Sequence, residues 1–404
     1  MAGPLEGIRV LDWTQWQMGT VATAMLGDLG ATVIHIENRV GGDPGRALKT
    51  RGMPDLPQGK SAYFEVNNRG KKGIALDLVK EKGKEVIYRL AKDSDVFVHN
   101  FRQGVPERLK LNYETLRRYN PKIIYAAASG YGARGPDVAE PSFDPLAQAR
   151  SGLADLVNPD EPPGQIGRGA AVADQMGAIM TGYGILAALF ARERFGIGQR
   201  IDVSLLGSIT ALLGSAIGRM LYLGQAPPKS DRKTRPNPLW NNYKCKDDKW
   251  ITLGNLQSDR QWPLVCKALA IEHLEKDPKY ESADKRQDNC EELIAIMDEI
   301  FLTKSPSEWM KILKGTGDVI CTPVQNISDL PNDAQVLANE YIIDYNHDIF
   351  GPVKVAGIPI QFSKTSGKVK AEAPELGQHV EEVLIEMGNY SWEEIARLKE
   401  EGVL

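Results

Sequence analysis

Cysteine and histidine are scarce in this sequence, and neither occurs in the clusters that metal sites need. The 404 residues include 4 Cys and 5 His. No C-x-x-C pair is present, and no Cys lies near a pair of His, so the sequence predicts neither a zinc site nor a disulfide scaffold. We expect the thiols to be reduced. They are Cys245, Cys266, Cys290 and Cys321.

Strong charge of one sign and uninterrupted apolar runs are also missing. The formal net charge is -4 and Lys and Arg form no long run, so we expect no nucleic-acid partner. The most apolar stretches, near 176–191 and 201–223, are interrupted by Arg, Tyr, Thr and Ser and favour buried helices over membrane spans. The first residues, M-A-G-P-L-E, carry no basic segment followed by an apolar run. We therefore expect no secretory signal and a cytoplasmic protein.

The glycine-rich loop of a dinucleotide-binding fold is absent as well. Residues 7–13 and 31–37 have strand patterns, with a helical pattern between them, and Glu37 ends the second strand where a ribose-binding carboxylate would lie. The loop after the first strand, T-Q-W-Q-M-G-T-V-A-T, contains only Gly19. The glycine spacing that lets a pyrophosphate approach the backbone is therefore missing, and we expect no nicotinamide cofactor.

The sequence does contain the alternation of strands and helices that is typical of a parallel sheet. Further strand patterns at 73–78, 96–99 and 123–128 alternate with helical patterns at 80–92 and 106–119. Together with the first two strands they predict an α/β fold whose large domain is a Rossmann-like, doubly wound parallel sheet.

A polar, proline-rich stretch at 225–238, Q-A-P-P-K-S-D-R-K-T-R-P-N-P, predicts the start of a second domain. The expected organisation is a large domain over 1–224, a smaller α+β domain over 225–330, and a C-terminal segment over 331–404 that returns to the large domain. Within the small domain the patterns predict a strand at 249–253 and helices at 259–270, 288–302 and 306–314.

One carboxylate stands at the start of a long apolar helix. Large apolar side chains recur at helical spacing and Gly196 acts as a stop signal, so we predict a buried helix from about Asp174 to about Phe195. Asp174 would lie on its first turn, where the helix dipole and free amide groups would keep it ionised and able to attack an acyl carbon. An ordinary helix-capping aspartate is the alternative. The recurring side chains are Met176, Ile179, Met180, Tyr183, Leu186 and Phe190.

A series of motifs runs in order along nearly the whole chain. They are L-D-W-T-Q-W-Q-M-G at 11–19, G-D-L-G-A-T-V-I-H-I-E at 27–37, N-R-G-K-K-G-I-A-L-D-L at 68–78, V-H-N-F-R-Q-G at 98–104, S-G-Y-G-A-R-G-P at 129–136, F-D-P-L-A-Q-A-R-S-G at 143–152, the helix of Asp174, G-I-G-Q at 196–199 and L-G-Q-H at 376–379. Each motif is weak alone, but their order is specific. In this series the sequence resembles the class III CoA-transferases, the family of formyl-CoA:oxalate and carnitine CoA-transferases.

The resemblance implies that Asp174 is a nucleophile, that coenzyme A (CoA) binds along the Rossmann-like domain, and that two chains form an interlocked, ring-like dimer. In the implied reaction Asp174 attacks an acyl-CoA thioester, and a mixed anhydride and then an enzyme–CoA thioester form before a carboxylic acid accepts the CoA. CoA thioesters are substrates, so we expect no metal and no permanently bound cofactor. The protein must mainly exclude water and supply N–H donors to the oxyanions.

Position by position, the resemblance also implies contacts with CoA. Gln17 matches a glutamine near the thioester. The adenine and pantetheine path is matched by Leu76, Asn100, Phe101 and Tyr131, and basic positions that face phosphates are matched by Arg102 and Arg108. Two further candidate phosphate partners flank G-G-D-P-G, namely Arg39 and Arg46. Without the resemblance all of these would be ordinary surface, turn or core residues.

The chain also departs from the formyl-CoA transferase pattern. That type carries an arginine and a histidine where this chain has Asn38 and Gln15, so local CoA contacts are expected to differ. Its glycine-rich shielding loop is replaced by P-N-P-L-W-N-N-Y-K-C at 236–245, which is closer to the carnitine type. We therefore expect Trp240 and Asn241 to help cover the pocket, and oxalate becomes a disfavoured acceptor.

Apolar residues near the expected site favour a larger acceptor acid. Trp13, Trp16, Met18 and Trp240 lie on or beside the loops in question. They suggest an aryl- or alkyl-substituted succinate or a 2-hydroxy acid as the acceptor. The resemblance implies an acyl-CoA donor, such as succinyl-CoA. Packing anchors are the alternative interpretation of these side chains.

Two other functions remain open at this point. An α-methylacyl-CoA racemase would share the fold, but in that branch a histidine precedes the aspartate that matches Asp144, and this chain has Phe143 there. Phenylalanine cannot exchange a proton, and racemisation needs two acid/base groups. The other alternative is a CoA-binding subunit of a heteromer with a paralogous chain, although the presence of Asp174 favours the active member.

Overall fold

The structure is a computed structural model, and it describes residues 2–49, 56–157, 170–226 and 231–404. The chain divides into two compact units. One consists of Met1–Pro227 together with Ala334–Leu404, and the other of Pro228–Asp333. The proline-rich stretch at 225–238 lies partly outside the described residues.

The strands of the described residues are, in chain order, β1 (Arg9–Trp13), β2 (Thr32–Asn38), β3 (Lys72–Leu76), β4 (Val96–His99), β5 (Ile124–Ser129), β6 (Gln199–Ser204), β7 (Asn242–Lys244), β8 (Trp250–Leu253), β9 (Cys321–Pro323), β10 (Ile342–His347) and β11 (Gly351–Ala356). The helices are α1 (Met18–Asp28), α2 (Ala62–Asn68), α3 (Glu81–Ala91), α4 (Val105–Arg108), α5 (Tyr113–Tyr119), α6 (Asp144–Arg150), α7 (Leu153–Val157), α8 (Val172–Phe195), α9 (Leu205–Leu212), α10 (Gly214–Leu223), α11 (Ser258–Leu269), α12 (Ala283–Asp288), α13 (Cys290–Phe301), α14 (Pro306–Thr316), α15 (Ala334–Ala338), α16 (Val380–Glu386) and α17 (Trp392–Glu400).

The first unit is built on a parallel sheet with the order β3-β2-β1-β4-β5-β6. One face packs against α3, α5, α16 and α17, and the other against α1 and α8. The chain is therefore a mixed α/β protein with a six-stranded parallel sheet. Because the order reverses between β1 and β4, a crevice is expected at the carboxyl ends of these two strands, where open α/β sheets bind ligands.

The second unit has an antiparallel sheet of order β7-β8-β9, with α11, α13 and α14 around it. Its core contains the buried side chains of Trp262, Trp309 and Tyr243. The predicted strand at 249–253 corresponds to β8.

Two helix predictions were wrong in detail. The stretch at 106–119 forms two short helices, α4 and α5, because Lys110 between them takes a left-handed conformation with φ of 55°. The apolar stretch at 201–223 begins with the edge strand β6 and continues as α9 and α10, which are bent by 72°.

The large apolar side chains of α8 do not form its buried face, which corrects the sequence prediction. Tyr183 is 66% exposed and Phe190 is 63% exposed, and Ile179 and Leu186 are exposed as well. Small residues form most of the face that packs on the sheet and on α1: Ala173, Gly177, Ala178, Thr181, Gly182, Ile185, Ala188 and Leu189. By length and composition alone α8 would also suit a membrane span, a criterion that core helices of soluble proteins meet too.

A buried ionic cluster lies between the sheet and α1. The Asp12 carboxylate accepts hydrogen bonds from Lys71 Nζ at 2.8 Å and from Thr23 Oγ1 at 2.8 Å, and lies 3.0 Å from His35 Nδ1. Lys71 Nζ also donates to the Thr20 carbonyl and to Asn68 Oδ1. Because these groups belong to β1, β2, α1 and α2, the cluster ties together the elements that carry the loop after β1.

Candidate active site

Two adjoining cavities occupy the crevice at the carboxyl ends of the sheet strands. One has a volume of about 410 Å³ and contains Asp174, and the other has a volume of about 310 Å³ and contains Leu76. Gln15, Phe101 and Val105 line both cavities. The two cavities therefore share a wall, and between them they extend from the end of β3 to the start of α8.

Asp174 lies on the first turn of α8, as predicted, but it does not cap the helix. Ala171 occupies the cap position with a φ of 39° and has no side-chain acceptor. The first-turn amides instead donate to Asp144 Oδ1, from Ala173 N at 2.7 Å and from Asp174 N at 3.3 Å. The capping role therefore belongs to Asp144, which leaves the half-buried Asp174 carboxylate without a hydrogen bond among the described residues.

The expectation that the helix end keeps Asp174 ionised was wrong. Burial, and then the negative charge of Asp144, raise the pKa of Asp174 to about 7. The first-turn amides that could offset these two effects donate to Asp144 instead. Near neutral pH, Asp174 is therefore divided between its protonated form and the ionised form that can attack a carbonyl carbon.

Tyr63 is a site residue that the sequence analysis missed. It lies on α2 and lines the same cavity as Asp174. Burial, and then the charges of Asp174 and Asp43, raise the pKa of Tyr63. Its phenol thus stays protonated and can donate a hydrogen bond in the cavity. Nothing in the sequence around Tyr63 marks it, because α2 reaches the site only through the fold.

The loop after β1 is held in a strained conformation beside Asp174. Trp16 has a φ of 65°, and its backbone N–H donates to both oxygens of Asp43 at 3.2 Å. Asn100 clamps the preceding residue, since its Oδ1 accepts from Gln15 N at 2.9 Å and its Nδ2 donates to the Gln15 carbonyl at 2.6 Å. Gln17 lines the cavity at the cap position of α1. Asn100 thus shapes the cavity by holding this loop.

Part of the cavity wall beside Asp174 is apolar. Trp16 and Phe143 meet edge to face with their ring centres 6.0 Å apart, and Met18 lines the same cavity. Met18 also packs onto Gly177, where an added Cβ would come within 2.9 Å of Met18 Cε and Cγ. Gly177 therefore admits Met18, which favours helix packing as the reason for this glycine.

The other predicted CoA residues differ in what they contact. Phe101 stacks on Trp13 with ring centres 4.2 Å apart, and the buried side chain of Leu76 lines the second cavity. The ring of Tyr131 packs under the guanidinium of Arg150, at 5.3 Å from its Cζ. Phe101 and Leu76 thus line the adjoining cavities, and Tyr131 is not among their described lining residues.

The four arginines that were predicted to contact phosphates also differ in their surroundings. Arg102 is exposed and lines the cavity of Asp174, whereas Arg108 is exposed on α4 outside the described linings of both cavities. Arg39 Nε donates to the Leu404 carbonyl at 2.6 Å. Arg46 pairs with both carboxylate oxygens of Glu37, at 2.7 and 2.6 Å. Of these four arginines, Arg102 is thus the one among the described lining residues of the Asp174 cavity.

Trp240 and Asn241 belong to the second unit. The Trp240 side chain is 46% exposed. Asn241 is buried, and its Nδ2 donates to the Arg232 carbonyl at 3.0 Å. Their role as pocket residues stays a prediction.

Comparisons with protein families, with curated proteins and with solved structures agree with one another. A model of the family described as CoA-transferase family III matches residues 5–380. The chain is 32% identical over 402 residues to a succinyl-CoA:glutarate CoA-transferase from Mus musculus, covering 99% of this chain and 90% of that protein. It is 29% identical over 401 residues to an (R)-2-hydroxy-4-methylpentanoate CoA-transferase from Clostridioides difficile, covering 99% of each. The crystal structure of a CAIB/BAIF family protein from Brucella suis matches with a TM-score of 0.85 at 28% identity, covering 96% of this chain and 100% of that one.

Proposed function

Because the chain belongs to CoA-transferase family III, we propose that it moves CoA from an acyl-CoA donor, such as succinyl-CoA, to a carboxylic acid. The observation that carries the proposal is the Asp174 carboxylate, which lines a cavity at the ligand-binding edge of the sheet and has no hydrogen-bond partner among the described residues. A carboxylate placed in this way is available for covalent catalysis.

The proposed reaction passes through covalent intermediates on the Asp174 carboxyl group. An Oδ atom attacks the thioester carbon of the donor, the C–S bond of the tetrahedral adduct breaks, and CoA leaves as a thiolate, which forms a mixed anhydride between the donor acid and Asp174. The thiolate then attacks Cγ of Asp174 and releases the donor acid as a carboxylate, which leaves CoA as a thioester on Asp174. The acceptor carboxylate attacks the same Cγ, which breaks the Cγ–S bond, releases the CoA thiolate and forms a second anhydride. The thiolate finally attacks the acceptor's acyl carbon, and Asp174 leaves as a free carboxylate. Since each attack exchanges one acyl bond for another, the protein must mainly keep water away and hold the oxyanions.

The two adjoining cavities, which share Gln15, Phe101 and Val105, support a CoA site. We place the adenine end near Leu76 and the pantetheine arm past Phe101, so that the thioester reaches Gln17 and Asp174. The proposed CoA site runs along the edge of the sheet at which open α/β folds bind their ligands.

Arg102 offers a direct check of this placement. We expect Arg102→Ala to raise the KM for acyl-CoA about tenfold while kcat changes little, because a phosphate contact binds the ground state and the transition state equally. The matched control is Arg108→Ala, an exposed arginine outside the described cavity linings, for which we expect a smaller effect. Steady-state kinetics with varied acyl-CoA measures both. Equal effects of the two substitutions would contradict the placement.

The apolar wall formed by Trp16, Met18 and Phe143 supports an acceptor larger than oxalate. We propose an aryl- or alkyl-substituted succinate or a 2-hydroxy acid. The experiment is to incubate the purified chain with succinyl-CoA or acetyl-CoA and a panel of carboxylic acids, and to follow the new CoA thioesters by mass spectrometry. Activity confined to oxalate would contradict the size argument. Deuterium uptake into a 2-methylacyl-CoA without any acceptor acid would indicate a racemase instead.

The exposed stripe of α8 supports an interlocked homodimer. Ile179, Tyr183, Leu186 and Phe190 form a contiguous apolar face on a helix whose first turn carries Asp174. A second copy of this chain would cover that face, as exposed apolar patches of this kind are typical of subunit interfaces. A heteromer with a paralogous chain is the alternative, and full activity of the chain purified alone would exclude it.

Phe190→Asp is expected to weaken this dimer by at least tenfold in dissociation constant, because it would bury a charge in an apolar interface. Sedimentation velocity over a dilution series measures the effect. Val40→Asp is the matched control, since Val40 is a 77% exposed apolar residue away from α8. If Phe190→Asp and Val40→Asp leave the same mass distribution, the stripe is not the interface.

A further inference from the structure

Asp144 is held on both of its carboxylate oxygens. Oδ1 accepts from the first-turn amides of α8, at 2.7 Å from Ala173 N and 3.3 Å from Asp174 N. Oδ2 accepts from Nε2 of the buried Gln148 at 2.7 Å. Asp144 is the first residue of α6, so the cap of α8 comes from a different helix.

This arrangement opposes the usual effect of a helix N-terminus. Amides of a first turn normally favour a nearby negative charge. Here two of them serve Asp144, which adds its own negative charge close to Asp174. The other charged or titratable groups that line the cavity are Tyr63 on α2, Arg102 after β4 and Glu140 before α6. Asp144 is the neighbour whose charge acts most strongly on Asp174.

We propose that Asp144 is a positioning residue for the nucleophile: it caps α8 in place of a local side chain and occupies the amides that would otherwise stabilise the Asp174 carboxylate. This inference rests on the proposed role of Asp174. A carboxylate that its surroundings stabilise less gains more when it forms a covalent bond, so it attacks a thioester faster once ionised. The cost is that more of the enzyme is protonated, and therefore inactive, at acid pH.

Asp144→Asn separates charge from capping, because the amide keeps an oxygen for Ala173 N and Gln148 can turn its own amide to match. We expect the acid limb of the kcat/KM profile, near pH 7 in the unmodified enzyme, to move to lower pH by roughly half to one unit. We expect kcat above pH 8 to fall about threefold to tenfold while KM changes little. An acid limb that does not move would overturn the proposal.

Two further variants test whether the role of Asp144 is purely structural. Asp144→Ala removes the cap as well, so kcat and the melting temperature should both fall, and the asparagine variant should recover the melting temperature but not the acid limb. Asp137→Asn is the matched control, since this carboxylate pairs with Arg150 near the same cavity. Asp137→Asn should leave the acid limb of the kcat/KM profile in place. A movement of the limb equal to that in Asp144→Asn would also overturn the proposal.

A measurement without turnover keeps this inference distinct from the proposed function. Infrared difference titration, with Asp174→Asn as the reference, follows the carboxyl band of Asp174 in the free protein. We expect the midpoint to fall in Asp144→Asn. If the protein transfers no CoA but the midpoint falls, the proposed function fails and the coupling of the two carboxylates stands. If CoA is transferred and the midpoint does not move, the inference about Asp144 fails alone.

Discussion

Replacing Asp174 by asparagine is expected to lower CoA transfer by about three orders of magnitude or more, because an amide cannot attack a thioester and carry CoA as a covalent intermediate. Asparagine has nearly the same shape, and the carboxylate that it replaces makes no hydrogen bond among the described residues, so the fold should be kept. The rate of succinyl-CoA consumption in the presence of an acceptor acid measures the loss. Asp137→Asn is the control, a neighbouring carboxylate that is expected to be dispensable.

The covalent intermediate gives a second measurement of the same prediction. Incubation with an acyl-CoA donor, followed by hydroxylamine or borohydride, should modify Asp174 in the unmodified protein and nothing in Asp174→Asn. Peptide mass spectrometry locates the modification. If the label falls elsewhere, or if Asp174→Ala still moves CoA between acids, the anhydride mechanism is wrong.

The parallel sheet was predictable because its central strands are buried on both faces. Strand patterns at 96–99 and 123–128 match β4 and β5 to within a residue at either end. The edge strand β6 was missed, since it alternates between exposed and half-buried residues and precedes an apolar helix. A short continuous apolar run that alternates with helical patterns indicates a buried strand, whereas a half-exposed edge strand has little of that signal.

The place of Asp174 on its helix was predictable, but the electrostatic surroundings of its carboxyl group were not. The helical spacing places Asp174 on the first turn of α8, and the structure agrees. The amides of that turn donate to Asp144, which is distant in sequence and reaches the helix end only through the packing of α6 on α8. Tyr63 was missed for the same reason, because tertiary contacts alone bring α2 to the cavity.

The apolar side chains of α8 recur at helical spacing, but that spacing did not identify the buried face of the helix. A stripe of large apolar side chains predicts an amphipathic helix, but it does not say which partner covers the stripe. In this chain small residues, among them Gly177 and Ala178, face the sheet and α1, where the backbones lie close together. The large side chains Tyr183 and Phe190 are left outside. The helix α8 is therefore apolar on two faces. One face packs in the core of its own chain, and in our proposal the other contacts a second copy of the chain.

Lys71→Met is expected to destabilise the first unit by about 3–5 kcal/mol, because it leaves the fully buried Asp12 carboxylate without its cation. Although burial alone would raise the pKa of Asp12, Lys71 and His35 hold it below its ordinary value. Without Lys71 the carboxylate must stay charged in an apolar place or take up a proton. Urea unfolding at pH 7 measures the loss as a lower midpoint.

A double variant distinguishes lost charge pairing from lost packing. Asp12→Asn together with Lys71→Met removes both charges, so much of the stability should return even though each single change is costly. Stability that stays as low as in Lys71→Met would mean that the lysine acts through Asn68 and the Thr20 carbonyl instead. Since the cluster lies under the loop of Trp16 and Gln17, the double variant should also keep the cavity of Asp174, and with it the CoA-transferase activity, better than either single variant.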